Sequence, residues 1–485
     1  MVFSSILFLT RFLPLVLLIY FAVPKKARNL VLFVASLIFY AWGEPKYLFL
    51  MLFTIMTDYV FALFISKSQK KENEGKTRAF LVAAVVINLA LLGFFKYADF
   101  TINTVNSITK AGLDPLKIAL PIGISFYTFQ SLSYVIDVYR GDVAAEINPL
   151  VFGTYVTLFP QLIAGPIVRY RTVAEEMRSR KENIDDFSSG IDRFIMGLGK
   201  KVLLANNAGL LWDTVKALPA GETTVATAWI GIIAYSFQIY FDFSGYSDMA
   251  IGMGRMFGFH FDENFNYPYI ADSITDFWRR WHISLSTWFK EYVYIPLGGN
   301  RKGFPKQIRN IFIVWLLTGF WHGAAWNFVA WGLFYGVILI IEKLFTLKWL
   351  GKMPAVLRHI YTLIIVMVGW VLFAFDDFSM AFKYLGHMFG VAVNGFADET
   401  TMYLFDENIL LLLILLIAST PLPALAAKKI FVRIGSKQEG AADKNEGVSG
   451  IVRLTATVCF LGTVFVLSFS YLVASTYNPF LYFRF

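Results

Sequence analysis

Long apolar stretches recur along the whole chain and restrict its fold more than any other feature. They cover residues 29–42, 79–95, 225–241, 310–321, 409–417 and 454–473. Several approach the roughly 20 residues that an α-helix needs to span the hydrocarbon core of a bilayer. Only 16% of the residues are charged, whereas an ordinary soluble domain has about 25%. The sequence therefore predicts a polytopic, all-α membrane protein and excludes a soluble globular domain.

Lysine and arginine are concentrated in short clusters between the apolar stretches. The clusters lie at residues 25–28, 67–78, 169–181, 279–309 and 428–453. Basic loops beside membrane helices generally face the cytoplasm, and scattered clusters do not form the continuous basic face that nucleic acid requires. The net charge of +9 is therefore interpreted as a topology signal, and no nucleic-acid partner is expected. With these loops inside, both chain ends are expected to face outward.

The lengths of the apolar stretches predict where individual helices cross the membrane. Residues 29–66 are long enough for two helices joined by a turn. Further crossings are expected at residues 79–97, 117–138, 202–218, 227–243 and 454–474. The single cysteine, Cys459, lies in the last of these among apolar neighbours, and we expect a buried, unreactive thiol there.

Two segments differ from a plain apolar helix. Residues 149–168 carry Pro160, Gly165 and Pro166 in a short apolar run between two cytoplasmic signals, which favours a re-entrant or in-plane segment whose backbone is either covered by protein or faces water. Residues 242–248 place two carboxylates, two hydroxyls and a phenol inside apolar sequence. Such groups either face a cavity or fix helix packing through hydrogen bonds, and the sequence leaves both open.

Two of the five histidines are candidates for chemistry. His322 follows an apolar run with no charged residue nearby, and an ionisable side chain inside a membrane generally indicates a function. A neutral imidazole can take a proton from a hydroxyl near neutral pH, and a hydrogen-bonded structural role is the alternative. His282 lies among tryptophan and leucine residues at helical spacing, which predicts an amphipathic helix at the cytoplasmic interface.

The other histidines, His260, His359 and His387, are expected to have structural or surface roles. No cysteine, histidine or carboxylate lies at ligand spacing from His282 or His322, so no metal site is expected.

A series of motifs follows one order along residues 90–345. They lie at residues 121–126 (PIGISF), 158–166, 242–248, 264–269 (NFNYPY), 276–287, 294–300 (YIPLGGN) and 321–323 (WHG). Together they resemble the membrane-bound O-acyltransferase family, in the bacterial branch that contains the alginate O-acetyltransferase membrane subunit. The resemblance implies one membrane domain over residues 1–485. Its fold would be a ring of roughly 11 or more tilted transmembrane helices with re-entrant segments around a central funnel.

The resemblance also implies roles for individual residues. His322 corresponds to the catalytic histidine of the Trp-His-Gly segment, and His282 to a second, supporting site residue. The family uses a thioester donor from the cytosolic side, either acetyl-CoA or an acyl-carrier thioester, with no bound cofactor. Arg279, Arg280 and Lys302 suit the phosphates of coenzyme A or the acidic surface of a carrier protein, although positive-inside loops explain these cations almost as well.

The last six residues, 480–485, resemble the Phe-x-Tyr-x-x-Phe ending of bacterial envelope acylation systems. One such ending belongs to the small partner protein in D-alanylation of teichoic acids. The resemblance implies that Tyr482 receives the acyl group transiently. A simple aromatic anchor at the membrane interface is the alternative.

The leading hypothesis is acyl transfer across a bacterial plasma membrane, with the surrounding membrane lipids as its environment. An extracytoplasmic esterase-like partner would pass the group, an acetyl group in the leading version, to an envelope polysaccharide. D-alanyl transfer to teichoic acid from a carrier protein is one alternative. A transporter or flippase is a rival from another class, against which the absence of a visible sequence repeat argues only weakly. A membrane scaffold that recruits a partner is the third alternative.

Overall fold

The computed structural model describes residues 1–163, 165–219, 221–436, 445–475 and 477–481, and regular structure within these ranges is helical. The described helices of the first half are α1 (Leu13–Ala22), α2 (Arg28–Gly43), α3 (Leu48–Gln69), α4 (Glu74–Leu92), α5 (Ala98–Thr109), α6 (Ile124–Arg140), α7 (Pro149–Thr157), α8 (Phe159–Leu162), α9 (Tyr170–Ser179), α10 (Ile184–Gly199), α11 (Asn206–Lys216) and α12 (Val225–Met256). Those of the second half are α13 (Ile274–Arg280), α14 (Ile283–Phe289), α15 (Phe304–His322), α16 (Trp326–Ile341), α17 (Leu347–Leu350), α18 (Ala355–Ala374), α19 (Phe378–Met388), α20 (Glu399–Ala418), α21 (Leu422–Ser436) and α22 (Asn445–Ala474). The predicted all-α fold is confirmed.

Several helices continue through short π-helical turns. Such turns join α4 to α5 (Gly93–Tyr97), α10 to α11 (Lys200–Ala205) and α16 to α17 (Glu342–Thr346). Turns of this kind are rare in proteins, and those that do occur often lie at functional sites. The first two turns carry the buried lysines Lys96 and Lys201, and both lysines contact residues discussed below.

In the part of the chain that the structure describes, six helical segments are long and apolar enough to cross a membrane. They are Leu48–Gln69, Glu74–Thr109, Trp326–Leu350, Ala355–Ala374, Glu399–Ala418 and Ile451–Ala474. The predicted pair of helices in residues 29–66 is confirmed, since α2 ends at Gly43 and α3 begins at Leu48. The chain is therefore a multi-pass membrane protein, and the larger number of crossings stays a prediction.

Helix α12 runs through the polar segment 242–248 and ends at Met256, 13 residues beyond the predicted end of this crossing at residue 243. The two carboxylates do not end the helix because α10 and the π-helical turn after it supply cations that pair with them. Asp248 pairs with Arg193 at 2.8 Å and with Lys200 at 2.6 Å. The two helices also touch through glycine, since a side-chain carbon on α10 at Gly197 would lie 2.6 Å from the backbone oxygen of Gly245 on α12. Small residues at such a contact let helix backbones approach closely.

The described backbone of this segment is covered by protein over residues 151–163 and 165–168, which is one of the two expected alternatives. Its backbone N–H groups find partners on distant elements: that of Phe159 donates to the Ser36 hydroxyl at 3.0 Å, and that of Ile167 donates to the Ser284 hydroxyl at 3.0 Å. Backbone groups in a membrane protein must be satisfied in this way wherever water is absent. The segment thereby packs directly against the residues that follow His282.

Ion pairs and hydrogen bonds join three of the basic clusters on one surface. Arg28 pairs with Glu182 at 2.7 Å, and Arg169 pairs with Glu291 at 2.6 Å. The Arg140 guanidinium donates to the Glu291 backbone oxygen at 3.1 Å. We call the surface that carries these residues the basic face, and its cytoplasmic orientation stays a prediction.

Cys459 is exposed, so the expectation of a buried thiol is wrong. It lies on α22, and only 17% of the most apolar part of the segment Ile451–Ala474 is buried inside the protein. An apolar sequence predicts burial in a soluble protein, but on a membrane helix it fits a lipid-facing surface equally well. The thiol is therefore directed away from the protein interior.

Candidate active site

His282 lies at a break between α13 and α14 and not on one continuous helix. Its backbone is left-handed, with φ of 45°, a conformation that a residue other than glycine keeps only where surrounding contacts hold it. A preceding loop supplies those contacts: the Asn266 N–H donates to the Arg280 oxygen at 2.9 Å, and the Ile283 N–H donates to the Asn264 oxygen at 3.0 Å. The prediction of one continuous amphipathic helix is therefore wrong, because the helix breaks at His282. Its apolar side is buried and Arg279 on its other side is exposed, and the location of the two short helices at the cytoplasmic interface stays a prediction.

The hydrogen bonds around Asn264 fix the tautomer of His282. The Asn264 Oδ1 atom accepts from the Ser284 backbone N–H at 3.2 Å and from the Ser284 hydroxyl at 2.9 Å. A backbone N–H can only donate, so this atom is the amide oxygen, and His282 Nδ1, 3.2 Å away, carries the proton. The Nε2 atom then holds a lone pair. It is buried and has no hydrogen-bond partner among the described residues, so His282 offers one unused acceptor.

His322 is the last residue of α15 and is also buried. Aromatic edges surround its ring, with centroid distances of 4.9 Å to Trp331, 5.1 Å to Trp321 and 5.5 Å to Phe373. The Trp321 ring also lies 6.0 Å from the ring of His282. One indole therefore contacts both imidazoles, and the two histidines selected from the sequence belong to one site.

Two residues that the sequence analysis missed hold the end of α15. Lys96 Nζ donates to the Trp321 oxygen at 2.5 Å and to the His322 oxygen at 3.5 Å. The Tyr97 hydroxyl donates to the Phe320 oxygen at 2.5 Å. The last carbonyls of a helix have no partner within it and carry partial negative charge, so these two side chains complete the helix end and fix the backbone of His322. Lys96 could have been identified from the sequence, because a lysine inside an apolar membrane segment generally has a function.

Both histidines line one cavity of about 350 Å³. Most of its wall is aliphatic or aromatic, and its lining also includes the cations Arg279 and Lys290. Both cations are exposed, and Lys290 precedes Glu291, which belongs to the basic face. The cavity therefore leads from the basic face to the two imidazoles, with a volume typical of small-molecule sites.

Comparison with known proteins gives a consistent assignment. Residues 143–376 match the model of the membrane-bound O-acyltransferase family. The chain is 40% identical to the probable alginate O-acetylase AlgI of Azotobacter vinelandii, with 100% of both chains covered. It is 34% identical to the peptidoglycan O-acetyltransferase of Helicobacter pylori, covering 100% of this chain and 98% of that one. The chain belongs to the membrane-bound O-acyltransferase family. The teichoic acid D-alanyltransferase of Bacillus subtilis is 30% identical, over 53% of this chain and 68% of its own length.

Membership confirms the prediction of an O-acyltransferase over the transporter and scaffold alternatives. The matched residues 143–376 include both histidines and both cations of the cavity. The roles of these residues, and the assignment of residues 1–485 to one domain, stay predictions.

The three cations predicted to bind the acyl donor occupy different environments. Among the described residues, Arg279 is the only one of the three that lines the cavity. The Arg280 guanidinium is paired with Asp276 at 2.8 Å, and Lys302 lies on an exposed loop. Lys290, which the sequence analysis did not select, is the second cation of the cavity. Arg279 and Lys290 are therefore the cations that line the cavity among the described residues, and the binding of a donor by any of these cations stays a prediction.

The remaining histidines lie outside the cavity. His260 is exposed, and its Nδ1 lies 2.7 Å from Glu176; the hydrogen bond to this carboxylate holds the pKa of His260 above its usual value. His359 donates to the Ala271 oxygen at 3.0 Å, and His387 is buried on α19. These placements agree with structural or surface roles. Within the described ranges, no group of three or more histidine, cysteine, aspartate or glutamate side chains could hold a metal ion.

Tyr482 and the rest of the terminal motif after Leu481 lie outside the described residues, so the acyl-carrying role of Tyr482 stays a prediction. The start of the motif is described. Phe480 stacks on Tyr246 of α12 at a centroid distance of 4.7 Å, and the Leu481 N–H donates to Asp242 at 2.9 Å. The terminal motif thus begins inside the protein.

We expect Asn264→Ala to lower the rate of acyl transfer about tenfold, equivalent to ~1.4 kcal/mol in the activation barrier. The substitution removes the acceptor that holds the Nδ1 proton of His282, so the ring is free to turn or change tautomer. Turnover of the purified enzyme, with kcat and KM separated, measures the effect, which should fall mainly on kcat. Asn266→Ala is the matched control, because this exposed side chain lies on the same loop and should leave the rate unchanged. Equal rates for both variants would contradict the role of Asn264.

Proposed function

We propose that this O-acyltransferase takes an acetyl group from a thioester at the basic face and delivers it, beyond the membrane, to hydroxyl groups of a cell-envelope polysaccharide. In this proposal the basic face is cytosolic and the membrane is the bacterial plasma membrane. An extracytoplasmic esterase-like acyltransferase is the partner that completes delivery to the polymer.

The observation that carries the proposal is the cavity shared by His282 and His322. Arg279 and Lys290 at its exposed end suit the phosphates of coenzyme A or the acidic surface of a carrier protein. The apolar wall behind them suits a thioester, because excluding water prevents its hydrolysis. The two imidazoles lie where a proton must leave the attacking hydroxyl.

In the proposed mechanism His322 is the general base. An acceptor hydroxyl gives its proton to the imidazole as its oxygen bonds to the thioester carbonyl carbon. The carbon–sulfur bond then breaks, and the leaving thiolate takes the proton. His282 accepts a hydrogen bond at Nε2 and so orients the substrate group that donates it.

The relatives favour acetyl over D-alanyl as the group transferred. Two of those named for O-acetylation cover the whole chain, whereas the D-alanyltransferase likeness covers 53% of it. This difference supports acetyl as the transferred group. Acetyl-CoA is the proposed donor, with a loaded carrier protein as the alternative.

Release of free thiol from the donor tests the proposal. The purified full-length Cys459→Ser enzyme is given a polysaccharide as acceptor together with acetyl-CoA or a D-alanyl carrier protein, and the thiol is measured with a chromogenic reagent. The serine background removes the one cysteine thiol of the chain, so that only thiol released from the donor is measured. We expect thiol release from acetyl-CoA and none with His322→Ala. Thiol release from the carrier protein alone would show that the transferred group is D-alanyl and not acetyl. Absence of thiol release from both donors would overturn the proposed reaction.

A further inference from the structure

A buried ion pair lies outside the cavity and has no part in the reaction described above. Lys201, in the π-helical turn between α10 and α11, pairs with Asp242 of α12 at 2.7 Å. The two side chains are 2% and 1% exposed. Two charges placed this deep are costly unless each is paired and its remaining hydrogen-bonding capacity is used.

The remaining hydrogen-bonding capacity of the two charges is shared between Asn206, whose Oδ1 accepts from Lys201 Nζ at 2.9 Å, and the C-terminal segment, residues 477–481. Lys201 Nζ donates to the Pro479 backbone oxygen, and the Leu481 N–H donates to Asp242 Oδ2 at 2.9 Å. The cation thus meets a carbonyl and the anion meets an N–H two residues later. The positive charge therefore faces the partial negative charge of a carbonyl oxygen, and the negative charge faces the partial positive charge of an N–H group.

Side-chain contacts fix the same segment on either side of these two bonds. The Asn478 amide donates to the Ser4 backbone oxygen at 3.0 Å, and the Asn206 amide donates to Asn478 Oδ1 at 3.3 Å. Between Pro479 and Leu481, the Phe480 ring is buried against Tyr246. The segment is therefore held by its backbone, by one amide and by one aromatic ring.

The ion pair also lies next to the candidate active site. Phe243, the residue after Asp242, has its ring 6.4 Å from the ring of His282. Two successive residues of α12 thus contact different parts of the protein: Asp242 binds the C-terminal segment, and Phe243 contacts His282 of the candidate active site. The residue that follows Leu481 in the sequence is Tyr482.

We propose that Lys201 and Asp242 form a docking site for the C-terminal segment, which binds its backbone and positions the terminal motif for acyl transfer. The positioning part rests on the proposed function, whereas the docking part does not. Lys201 and Asp242 are positioning residues, since they act through the segment. The occupant is the chain's own residues 477–481.

Exchanging the two charges separates docking from a merely structural ion pair. The double variant Lys201→Asp/Asp242→Lys keeps an ion pair but places an anion at the Pro479 oxygen and a cation at the Leu481 N–H. The readout is the release of residues 478–485 by chymotrypsin cleavage after Tyr477 in the full-length protein, followed by mass spectrometry. We expect release at least tenfold faster than in the parent. The double variant Lys201→Arg/Asp242→Glu keeps the polarity and should release the segment as slowly as the parent.

A second variant leaves the buried charges untouched, so it answers the question even if the exchanged pair does not fold. Leu481→Pro removes the N–H that donates to Asp242, because proline has none, and Leu481→Ala is its matched control. We expect severalfold faster release from Leu481→Pro than from Leu481→Ala. Equal protection of the two variants would overturn the docking site.

Envelope acetylation in cells that carry the same variants tests the positioning part. We expect acetylation to fall at least tenfold wherever the segment is released and to stay near the parent level in both control variants. Normal acetylation with a released segment would overturn positioning while leaving docking intact. If the parent enzyme releases no thiol from any donor, the proposed function fails, but the protease result still decides the docking site.

Discussion

Replacing His322 with alanine should reduce acyl transfer roughly 10²–10⁴-fold, the usual contribution of a positioned general acid or base. The ring lies at the inner wall of the cavity, enclosed by Trp321, Trp331 and Phe373. These aromatic contacts hold the imidazole where a hydroxyl can reach it, and alanine offers no proton acceptor in its place. Thiol release by the purified enzyme and O-acetylation of the envelope in cells measure the loss.

His359→Ala is the control for His322→Ala, because His359 bonds a backbone oxygen outside the cavity. It should retain near-normal activity, and both variants should elute as folded protein on size exclusion. For His282→Ala we expect a smaller loss, since His282 orients a substrate group in the proposed mechanism. Normal envelope acetylation in cells that carry only His322→Ala would refute the general-base role.

Tyr482→Phe should be nearly inactive if the phenol is the first acyl acceptor. A free phenol has a pKa of about 10, so its oxygen needs a base to attack a thioester near neutral pH. In that step the phenol proton passes to His322 as the oxygen bonds to the acyl carbon. The carbon–sulfur bond then breaks, and the leaving thiolate takes the proton from His322. Phenylalanine keeps the ring and removes only the oxygen that attacks. Intact-protein mass spectrometry after incubation with donor should show an acyl adduct on the parent and none on Tyr482→Phe.

Tyr477→Phe is the matched control for this experiment. It also removes one phenol oxygen, from a residue of the same segment that donates to Asp213 at 2.6 Å, and it should keep most of the activity. An aromatic anchor at the membrane interface would tolerate phenylalanine at either position. Full activity of Tyr482→Phe would therefore return the motif to an anchor and leave a sugar or partner hydroxyl as the direct acceptor.

The fold class was predictable because membrane helices depend on length and apolarity, and both can be counted along the sequence. Helix ends were less predictable. The extent of α12 depends on Arg193 and Lys200, which lie on neighbouring elements and neutralise Asp248. The exposure of Cys459 was misjudged for a related reason: apolar neighbours in sequence do not distinguish a protein interior from lipid.

The two histidines of the site were predictable from the sequence, His322 from its apolar surroundings and both from family motifs. Their setting was not. The break at His282 is imposed by a loop that lies before α13, and the N–H of Ser284 is what identifies the Asn264 oxygen. Lys96 could have been selected as a charge in an apolar run, but its partners on α15 follow only from the packing of two distant helices.

Lys96, which binds the backbone at the end of α15, also relates the candidate active site to the thickness of the bilayer. Lys96 belongs to the continuous helical segment Glu74–Thr109, whose 36 residues extend roughly 54 Å at 1.5 Å per residue. A hydrocarbon core is about 30 Å thick, so a helix of this length must tilt or project beyond it, and its tilt changes with the surrounding lipids. Because Lys96 and Tyr97 bind the last carbonyls of α15, a change in that tilt would act on the backbone of His322. Lipid chain length would thereby be a physical input to the geometry of this imidazole.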